Sequence, residues 1–180
     1  MSILNSIHDS HLGCITAYTG AVINFKEPEK SDIRLEDLAH GMAFTCRFGG
    51  HVSHFYSVAQ HSVLVYNLAP EPLKKAALFH DAQEAYLGDV VTPLKKILGN
   101  VYKDLEEQFQ FIISHQFNVD RSLYTDIKYY DRLALAMEAR ALKEEDSRLL
   151  QDWFHAYKTT LYWTPSTAKY LWMAEVKNYL

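Results

Sequence analysis

The stretch EPLKKAALFHDAQEAYLG, residues 71–88, decides the predicted fold. Pro72 suits the first turn of a helix and Gly88 suits its end, so the pattern predicts one helix from Glu71 to about Leu87. Three polar residues of this helix share a face, because they follow Ala77 at spacings of three, four and seven residues: His80, Asp81 and Glu84. The stretch therefore predicts a functional site that is built on helices.

Apolar residues recur at helical spacing on both sides of this stretch. They predict helices over about residues 35–43, 57–68, 93–96, 101–118, 124–145 and 166–179. Strand-like segments occur near the start of the chain, where residues 15–18 and 22–25 flank Thr19 and Gly20 in a tight turn. We therefore predict an all-α, mainly helical fold with a short N-terminal β-hairpin.

The composition and charge of the chain argue against several classes of protein. The chain has 180 residues, 48% of them hydrophobic, which is enough for the core of one domain. Its formal charge of −4 argues against a protein that coats nucleic acid, because phosphate neutralisation requires a basic surface. Its longest apolar runs are far shorter than the roughly 20 residues of a membrane span, and its N-terminus lacks the pattern of a secretory signal. We expect a cytoplasmic protein without a membrane or a nucleic-acid polymer as partner.

Four side chains on three predicted helices supply nitrogen and oxygen donors. They lie on inward-facing stripes, where an imidazole or a carboxylate is costly unless a partner satisfies it. Mixed nitrogen and oxygen donors suit a divalent transition metal. Taken singly, the same residues have plainer interpretations, such as a core histidine or half of a surface ion pair. The four residues are His61, His80, Asp81 and Asp131.

The order of these four residues along the chain resembles the H…HD…D signature of the HD-domain phosphohydrolases. Two longer segments narrow the resemblance: CRFGGHVSHFYSVAQHS, residues 46–62, and HDAQEAYLGDVVTPLK, residues 80–95. They are similar to the 5′-deoxynucleotidase-like subgroup of bacteria and phages, which includes phage dATP triphosphohydrolases. The similarity extends over roughly residues 32–145.

The resemblance implies one HD-type phosphohydrolase domain over residues 1–180. The N-terminal hairpin would occupy about residues 15–25, the metal-binding helical core about 32–145, and the C-terminal helices about 146–180. Related enzymes form homo-oligomers, which implies the same for this chain. The aromatic stretch from Trp153 to Trp172 is a candidate interface, with core packing as the alternative. If a phage encodes the protein, it would act in the cytoplasm of the host.

The resemblance also implies which residues carry the reaction. It implies one divalent ion, of Mn, Co, Zn, Ni, Fe or Mg, with four ligands: His61, His80, Asp81 and Asp131. Glu84 and Asp89 match the catalytic carboxylates that position or activate the attacking water. A glutamate can accept the proton of that water. The plainer alternatives are a surface pair with a lysine for Glu84 and an ordinary turn residue for Asp89.

The resemblance implies four substrate contacts: Arg47, Phe48, His51 and Lys95. The planar guanidinium of Arg47 can grip a phosphate, although an ion pair with Glu36 or Asp37 is the alternative. Phe48 matches an aromatic residue that lines the sugar or base pocket, and core packing is its alternative. His51 stands where other members carry basic residues, and Lys95 is a further candidate for a phosphate contact.

The implied reaction is hydrolysis of a deoxynucleotide by metal-activated water that attacks phosphorus. Attack on the α-phosphorus of a dNTP releases deoxynucleoside and triphosphate, and dATP is the expected substrate. Attack on a dNMP, the reaction of a 5′-deoxynucleotidase, is the alternative, because the same ligands serve both reactions. A regulatory HD module that binds a nucleotide without turnover is an alternative of another class.

Overall fold

The computed structural model describes residues 13–143 and 162–180. It begins with an antiparallel hairpin of β1 (Cys14–Thr16) and β2 (Val22–Asn24), in which Ile15 pairs with Ile23. The α-helices of the described residues are α1 (Leu35–Phe44), α2 (Val58–Leu68), α3 (Lys74–Phe79), α4 (Glu84–Leu87), α5 (Thr92–Leu98), α6 (Asn100–Gln116), α7 (Tyr124–Lys143) and α8 (Pro165–Val176). The predicted mainly helical fold with an N-terminal hairpin is confirmed.

Short 3-10 helices occupy several connections between these elements. They cover Pro28–Lys30, Arg47–Gly50, Glu71–Leu73 and Arg121–Leu123. Helix α7, with 20 residues, is the longest of the described helices. Among them, none is both long and apolar enough to span a membrane.

Helix α2 lies at the centre of the fold and contacts α1, α3, α7 and α8. Its residues from Val58 to Val65 are all buried, so this helix is enclosed on every side over about two turns. Ser57 caps its N-terminus by accepting a hydrogen bond from the Gln60 amide at 3.1 Å. The central position of α2 places His61 inside the protein, with none of its surface exposed.

Helix α8 packs against α3 and completes the core. The indole of Trp172 donates a hydrogen bond to the Leu78 carbonyl oxygen at 3.0 Å, and its ring meets Phe79 edge-on. Trp163 is buried as well, so these two tryptophans of the candidate interface belong to the core. Residues 144–161, which include Trp153 and the first part of the predicted C-terminal segment, lie outside the described residues.

The prediction of one continuous helix from Glu71 to Leu87 is wrong. Helix α3 ends at Phe79 and α4 begins at Glu84, with a tight turn between them. In this turn the Gln110 side chain donates to the His80 carbonyl oxygen at 2.9 Å, and the Glu84 amide instead bonds to the Asp81 carbonyl oxygen at 3.0 Å. Here the amide of residue i bonds to the carbonyl oxygen of residue i−3 and not of residue i−4, so the backbone is wound more tightly than in an α-helix.

Two neighbouring side chains of this turn, His80 and Asp81, approach the same point. Successive residues of a regular helix point about 100° apart, so neighbours on a helix seldom reach the same atom. His80 and Asp81 nevertheless reach one point, with Asp81 Oδ2 3.2 Å from His80 Nε2. His80, Asp81 and Glu84 therefore do not share one helical face as predicted, because His80 and Asp81 lie in the turn and Glu84 begins α4.

A glycine in α1 lets the helix that carries Glu84 approach closely. A Cβ atom at Gly41 would collide with the backbone carbonyl oxygen of Ala85 and would lie 2.9 Å from its Cα. Real Cβ atoms do not approach backbone atoms this closely, so the packing of α1 on α4 requires glycine at this position. The contact fixes α4 against the core and with it the position of Glu84, its first residue.

Candidate metal centre

Two imidazoles and two carboxylates meet between α2, α7 and the turn after α3. His61 Nε2 lies 3.2 Å from His80 Nε2 and 3.2 Å from Asp131 Oδ1. Asp81 Oδ2 lies 3.2 Å from His80 Nε2 and 3.6 Å from His61 Nε2. The structure thus brings together all four residues that the sequence singles out as ligands.

The Nδ1 atom of each imidazole already has a hydrogen-bond acceptor. His80 Nδ1 donates to the Ala77 carbonyl oxygen at 2.7 Å, because a carbonyl oxygen can only accept. His61 Nδ1 donates to Glu138 Oε1 at 2.6 Å, and Glu138 is an ionised acceptor because it also pairs with Arg47. In its neutral form, each ring therefore turns the lone pair of Nε2 toward the same point.

This arrangement requires positive charge at the point where the side chains meet. Two lone pairs and two carboxylates repel one another in a buried setting, and a proton or a metal cation offsets that repulsion. Ligand atoms about 2.1 Å from a zinc-like ion lie about 3.0–3.4 Å from one another. The ligand atoms of His61, His80 and Asp131 all lie within 4.8 Å of one another, so this cluster could hold a metal ion.

The pKa values of the cluster also reflect its preference for positive charge. Burial opposes a charged imidazole, but the carboxylates of Asp81 and Asp131 raise the pKa of His80 to about 9. Burial and the Arg47 cation oppose charge on His61, yet Glu138 and Asp131 raise its pKa above the ordinary value. Burial alone would raise the pKa of Asp81, but the imidazoles hold it well below the ordinary value.

Glu138 contacts the ligand cluster and is not among the residues that the sequence singles out. Its side chain is fully buried; Oε1 accepts from His61 Nδ1 at 2.6 Å, and Oε2 accepts from Arg47 Nε at 3.2 Å and Nη2 at 3.0 Å. Burial alone would raise the pKa of Glu138, but Arg47 and His61 lower it. One signal was present, because Glu138 follows Asp131 by seven residues, two helical turns along the same face.

Arg47 lies among carboxylates, beneath the ligand cluster. Besides its bonds to Glu138, its Nη1 lies 3.8 Å from Asp81 Oδ2, and only 7% of the residue is exposed. The alternative of an ion pair with Glu36 or Asp37 is wrong. Glu36 pairs with Lys169 at 3.2 Å, and Asp37 accepts hydrogen bonds from the Thr19 amide and hydroxyl at 2.7 and 2.8 Å. A substrate contact by Arg47 stays a prediction.

The residues after Arg47 form a turn that Asp89 holds in place. Phe48 has a φ of 58°, in the left-handed region that is unfavourable for a side chain of this size. Its amide donates to Asp89 Oδ2 at 3.0 Å, and its carbonyl oxygen accepts from the His51 amide at 3.1 Å. The observed role of Asp89 is therefore to fix this backbone. Its predicted role at the attacking water stays a prediction.

Glu84 lies buried beside the cluster, paired with a lysine but not at the surface. It is 3% exposed, and its Oε1 accepts from Lys95 Nζ at 3.3 Å. Its Oε2 is buried and makes no hydrogen bond to the residues that the structure describes. Burial, together with the charges of Asp81 and Asp89, raises the pKa of Glu84 well above its ordinary value, although Lys95 opposes the shift. Lys95 also donates to Glu106 at 2.6 Å.

A cleft of about 600 Å³ opens from the cluster between α6 and α7. His80, Asp81 and Asp131 contribute to its lining, so the candidate metal site faces this space. The charged side chains of the lining are Lys95, Lys103, Arg121 and Lys128, and Asp81, Glu106, Glu107 and Asp131. Of the predicted substrate contacts, Lys95 lines the cleft, whereas Arg47, Phe48 and the exposed His51 do not.

Two curated proteins are similar to this chain over most of their length, whereas no family model matches it. The uncharacterized protein YfdR of Escherichia coli is 40% identical over 132 residues, which cover 73% of this chain and 74% of the relative. An uncharacterized protein of Rhodobacter capsulatus is 35% identical over 136 residues, which cover 71% of this chain and 69% of the relative.

Proposed function

The chain belongs to the family of the Escherichia coli protein YfdR. For this chain we propose the function of a metal-dependent phosphohydrolase that acts on deoxynucleotides. The observation that carries the proposal is the 3.2 Å separation of His61 Nε2 and His80 Nε2, whose Nδ1 atoms are both committed as donors. A site that gathers lone pairs and carboxylates is suited to a divalent cation. We propose that Asp81 is the fourth ligand, beside His61, His80 and Asp131.

The residues around this site support a hydrolytic reaction. A divalent ion held there would supply a Lewis acid for a phosphoryl oxygen and would lower the pKa of bound water. Glu84 accepts a proton from the attacking water, because its pKa is raised well above the ordinary value and its Oε2 is not bonded to any described residue. Lys95 orients Glu84 from the other side, through the bond to Oε1 at 3.3 Å.

The charges of the cleft support a phosphate-bearing substrate. Its lining has four basic and four acidic side chains, so a divalent ion would leave it with two positive charges in excess. Phosphate groups would meet the basic side chains of the lining next to the metal site: Lys95, Lys103, Arg121 and Lys128. We propose a dNTP as the substrate, and dATP as the first candidate, because the sequence resembles the 5′-deoxynucleotidase-like subgroup, which includes phage dATP triphosphohydrolases.

A second substrate class has a specific observation in its favour. A phosphate monoester carries about two negative charges near neutral pH, which equals the excess of the ion-loaded cleft. A dNMP would therefore balance the site more closely than a dNTP. The reaction would then be that of a 5′-deoxynucleotidase, with deoxynucleoside and orthophosphate as products.

The test is a product analysis with defined metals. Metal-free protein is loaded separately with Mn²⁺, Co²⁺, Zn²⁺ or Mg²⁺ and incubated with dNMPs, dNTPs and the matching ribonucleotides, and the products are separated by ion-exchange chromatography. Deoxynucleoside with intact triphosphate from dATP would support the first substrate class, and orthophosphate from dNMPs would support the second.

Matched histidine variants connect the activity to the site. His80→Asn should abolish turnover, whereas His115→Asn, the same change at an exposed position of α6, should retain it. Metal-loaded protein that converts no member of the panel would overturn the hydrolase and would favour the regulatory module that binds nucleotide without turnover.

A further inference from the structure

We propose that Glu138 is a positioning residue that holds both halves of the metal centre at once. One half is the ligand His61, and the other is Asp81 with its neighbour Arg47. This inference rests on the proposed function. One oxygen of its carboxylate accepts from the metal ligand His61, and the other accepts from Arg47, which in turn faces Asp81. Glu138 does not line the cleft and is fully buried, so it acts on the centre through its partners and not on the substrate.

The bond to His61 decides which nitrogen of the ring faces the centre. A neutral imidazole carries one hydrogen, and the acceptor at Nδ1 draws that hydrogen away from Nε2. The distance of 2.6 Å between His61 Nδ1 and Glu138 Oε1 marks a short, charge-assisted bond. Outer partners of this kind fix the orientation of a metal-binding imidazole and strengthen it as a ligand.

Through Arg47, the carboxylate of Glu138 also acts on Asp81, in the other half of the centre. Arg47 Nε and Nη2 both donate to Oε2, which fixes the plane of the guanidinium. In that plane Nη1 lies 3.8 Å from Asp81 Oδ2 and provides a positive charge beside this carboxylate. Arg47 also neutralises Glu138, which would otherwise be a buried anion without a cationic partner such as a guanidinium.

A carboxylate is required at this position, because both of its oxygens accept. A glutamine has one acceptor oxygen and one NH₂ group that can only donate. If its oxygen accepts from His61, its NH₂ group faces the N–H groups of Arg47. If its oxygen accepts from Arg47, its NH₂ group faces His61 Nδ1 and favours the tautomer with the hydrogen on Nε2. Either arrangement weakens one half of the centre.

The experiment measures metal binding in the absence of nucleotide. Metal-free wild-type protein, E138Q and D126N are titrated with Co²⁺ by calorimetry, and the visible spectrum of the bound Co²⁺ is recorded together with the Tm of each protein. D126N is the matched control, because Asp126 is an exposed carboxylate on the same helix. We expect E138Q to bind Co²⁺ about 10- to 100-fold more weakly with an altered spectrum, and D126N to match the wild type.

A double variant separates positioning from stability. E138Q removes the charged hydrogen-bond partner of the buried Arg47 cation, and R47M/E138Q removes that cation as well. We expect the double variant to recover Tm relative to E138Q while its Co²⁺ affinity stays low. If E138Q does not fold, the double variant provides the binding measurement.

Two results would overturn the inference alone: wild-type Co²⁺ affinity in E138Q, or recovery of affinity together with Tm in the double variant. A wild-type protein that binds no divalent metal would overturn the proposed metal centre and this inference with it. The wild-type titration therefore distinguishes the failure of the proposed function from the failure of the role of Glu138.

Discussion

The side chain of Gln110 on α6 donates a hydrogen bond to the backbone carbonyl oxygen of His80, 2.9 Å away. This carbonyl oxygen would accept from the Glu84 amide in a continuous helix, but Glu84 bonds to Asp81 instead. A residue of one helix thus stabilises the turn in which His80 and Asp81 approach the same point.

We expect Gln110→Leu to weaken the metal centre, because the His80 carbonyl oxygen would lose its partner and the turn its support. Leaving a buried acceptor unsatisfied costs about 1–3 kcal/mol. Urea unfolding of the metal-free protein should register this loss, and Co²⁺ titration should register lower affinity. Gln108→Leu, at an exposed position of the same helix, is the control. Unchanged metal affinity in Gln110→Leu would show that the turn forms without this bond.

We expect Glu84→Gln to retain the metal and to turn over substrate at least about 100-fold more slowly, because an amide cannot accept the proton of the attacking water. Steady-state kinetics and metal analysis of the same preparation check both parts. Glu71→Gln provides a control with the same chemical change at an exposed position. A Glu84→Gln enzyme with wild-type kcat would exclude Glu84 as the base.

We expect Lys95 to set the pH range in which Glu84 can accept a proton. Burial and the charges of Asp81 and Asp89 raise the pKa of Glu84, whereas Lys95 lowers it. Removal of the cation in Lys95→Met should therefore raise the Glu84 pKa further and move the acidic limb of the pH profile of kcat to higher pH. Lys96→Met, an exposed neighbour with the same change, should leave the limb in place. An unshifted limb in Lys95→Met would indicate that another group titrates there.

The affinity of the centre for a divalent ion should rise with pH, because the ion must displace a proton from His80. The carboxylates around His80, working against burial, raise its pKa from 6.5 to about 9. Affinity should increase about tenfold per pH unit up to about pH 9 and then level off. Calorimetric titration in buffers of different ionisation enthalpy should show the released proton. Affinity that is constant from pH 6.5 to 9 would contradict a protonated His80.

The same pKa predicts how the stability of metal-free protein depends on pH. The pKa of His80 is higher in the folded state than its ordinary value of 6.5, so its proton stabilises the fold fully below pH 6.5. This contribution is lost as the pH rises through about 9. The Tm of metal-free protein should therefore fall between these two pH values, and bound metal should reduce the fall.

We expect Gly41→Ala to destabilise the protein although alanine favours helices. The added Cβ would collide with the Ala85 backbone and force α1 away from α4. Overpacking of this kind costs about 1–3 kcal/mol, which exceeds the helix-propensity gain of up to about 1 kcal/mol. Chemical unfolding measures the stability, and kcat should fall as well because α4 begins with Glu84. A more stable Gly41→Ala protein would show that the two helices can separate freely.

Much of the fold follows from local patterns in the sequence. The predicted helix over residues 57–68 is observed as Val58–Leu68 with Ser57 as its cap, and the hairpin forms around the turn at Thr19 and Gly20. Helical periodicity and capping act within a few residues, so a single chain segment is enough to predict them. The break at His80 could not be predicted in this way, because the bond that supports it comes from Gln110, 30 residues later.

The sequence by itself determined which side chains are available as candidate metal ligands, because its periodicity predicted His61, His80, Asp81 and Asp131 on inward stripes of their segments. Only the tertiary structure decided what surrounds them. Glu138 meets Arg47 across 91 residues of chain and His61 across 77, and Lys95 pairs with Glu84 and Glu106 on two different helices. The physical reason is that buried charges are partnered by whatever the packing of distant helices brings within hydrogen-bond distance, and local sequence patterns carry no record of that packing.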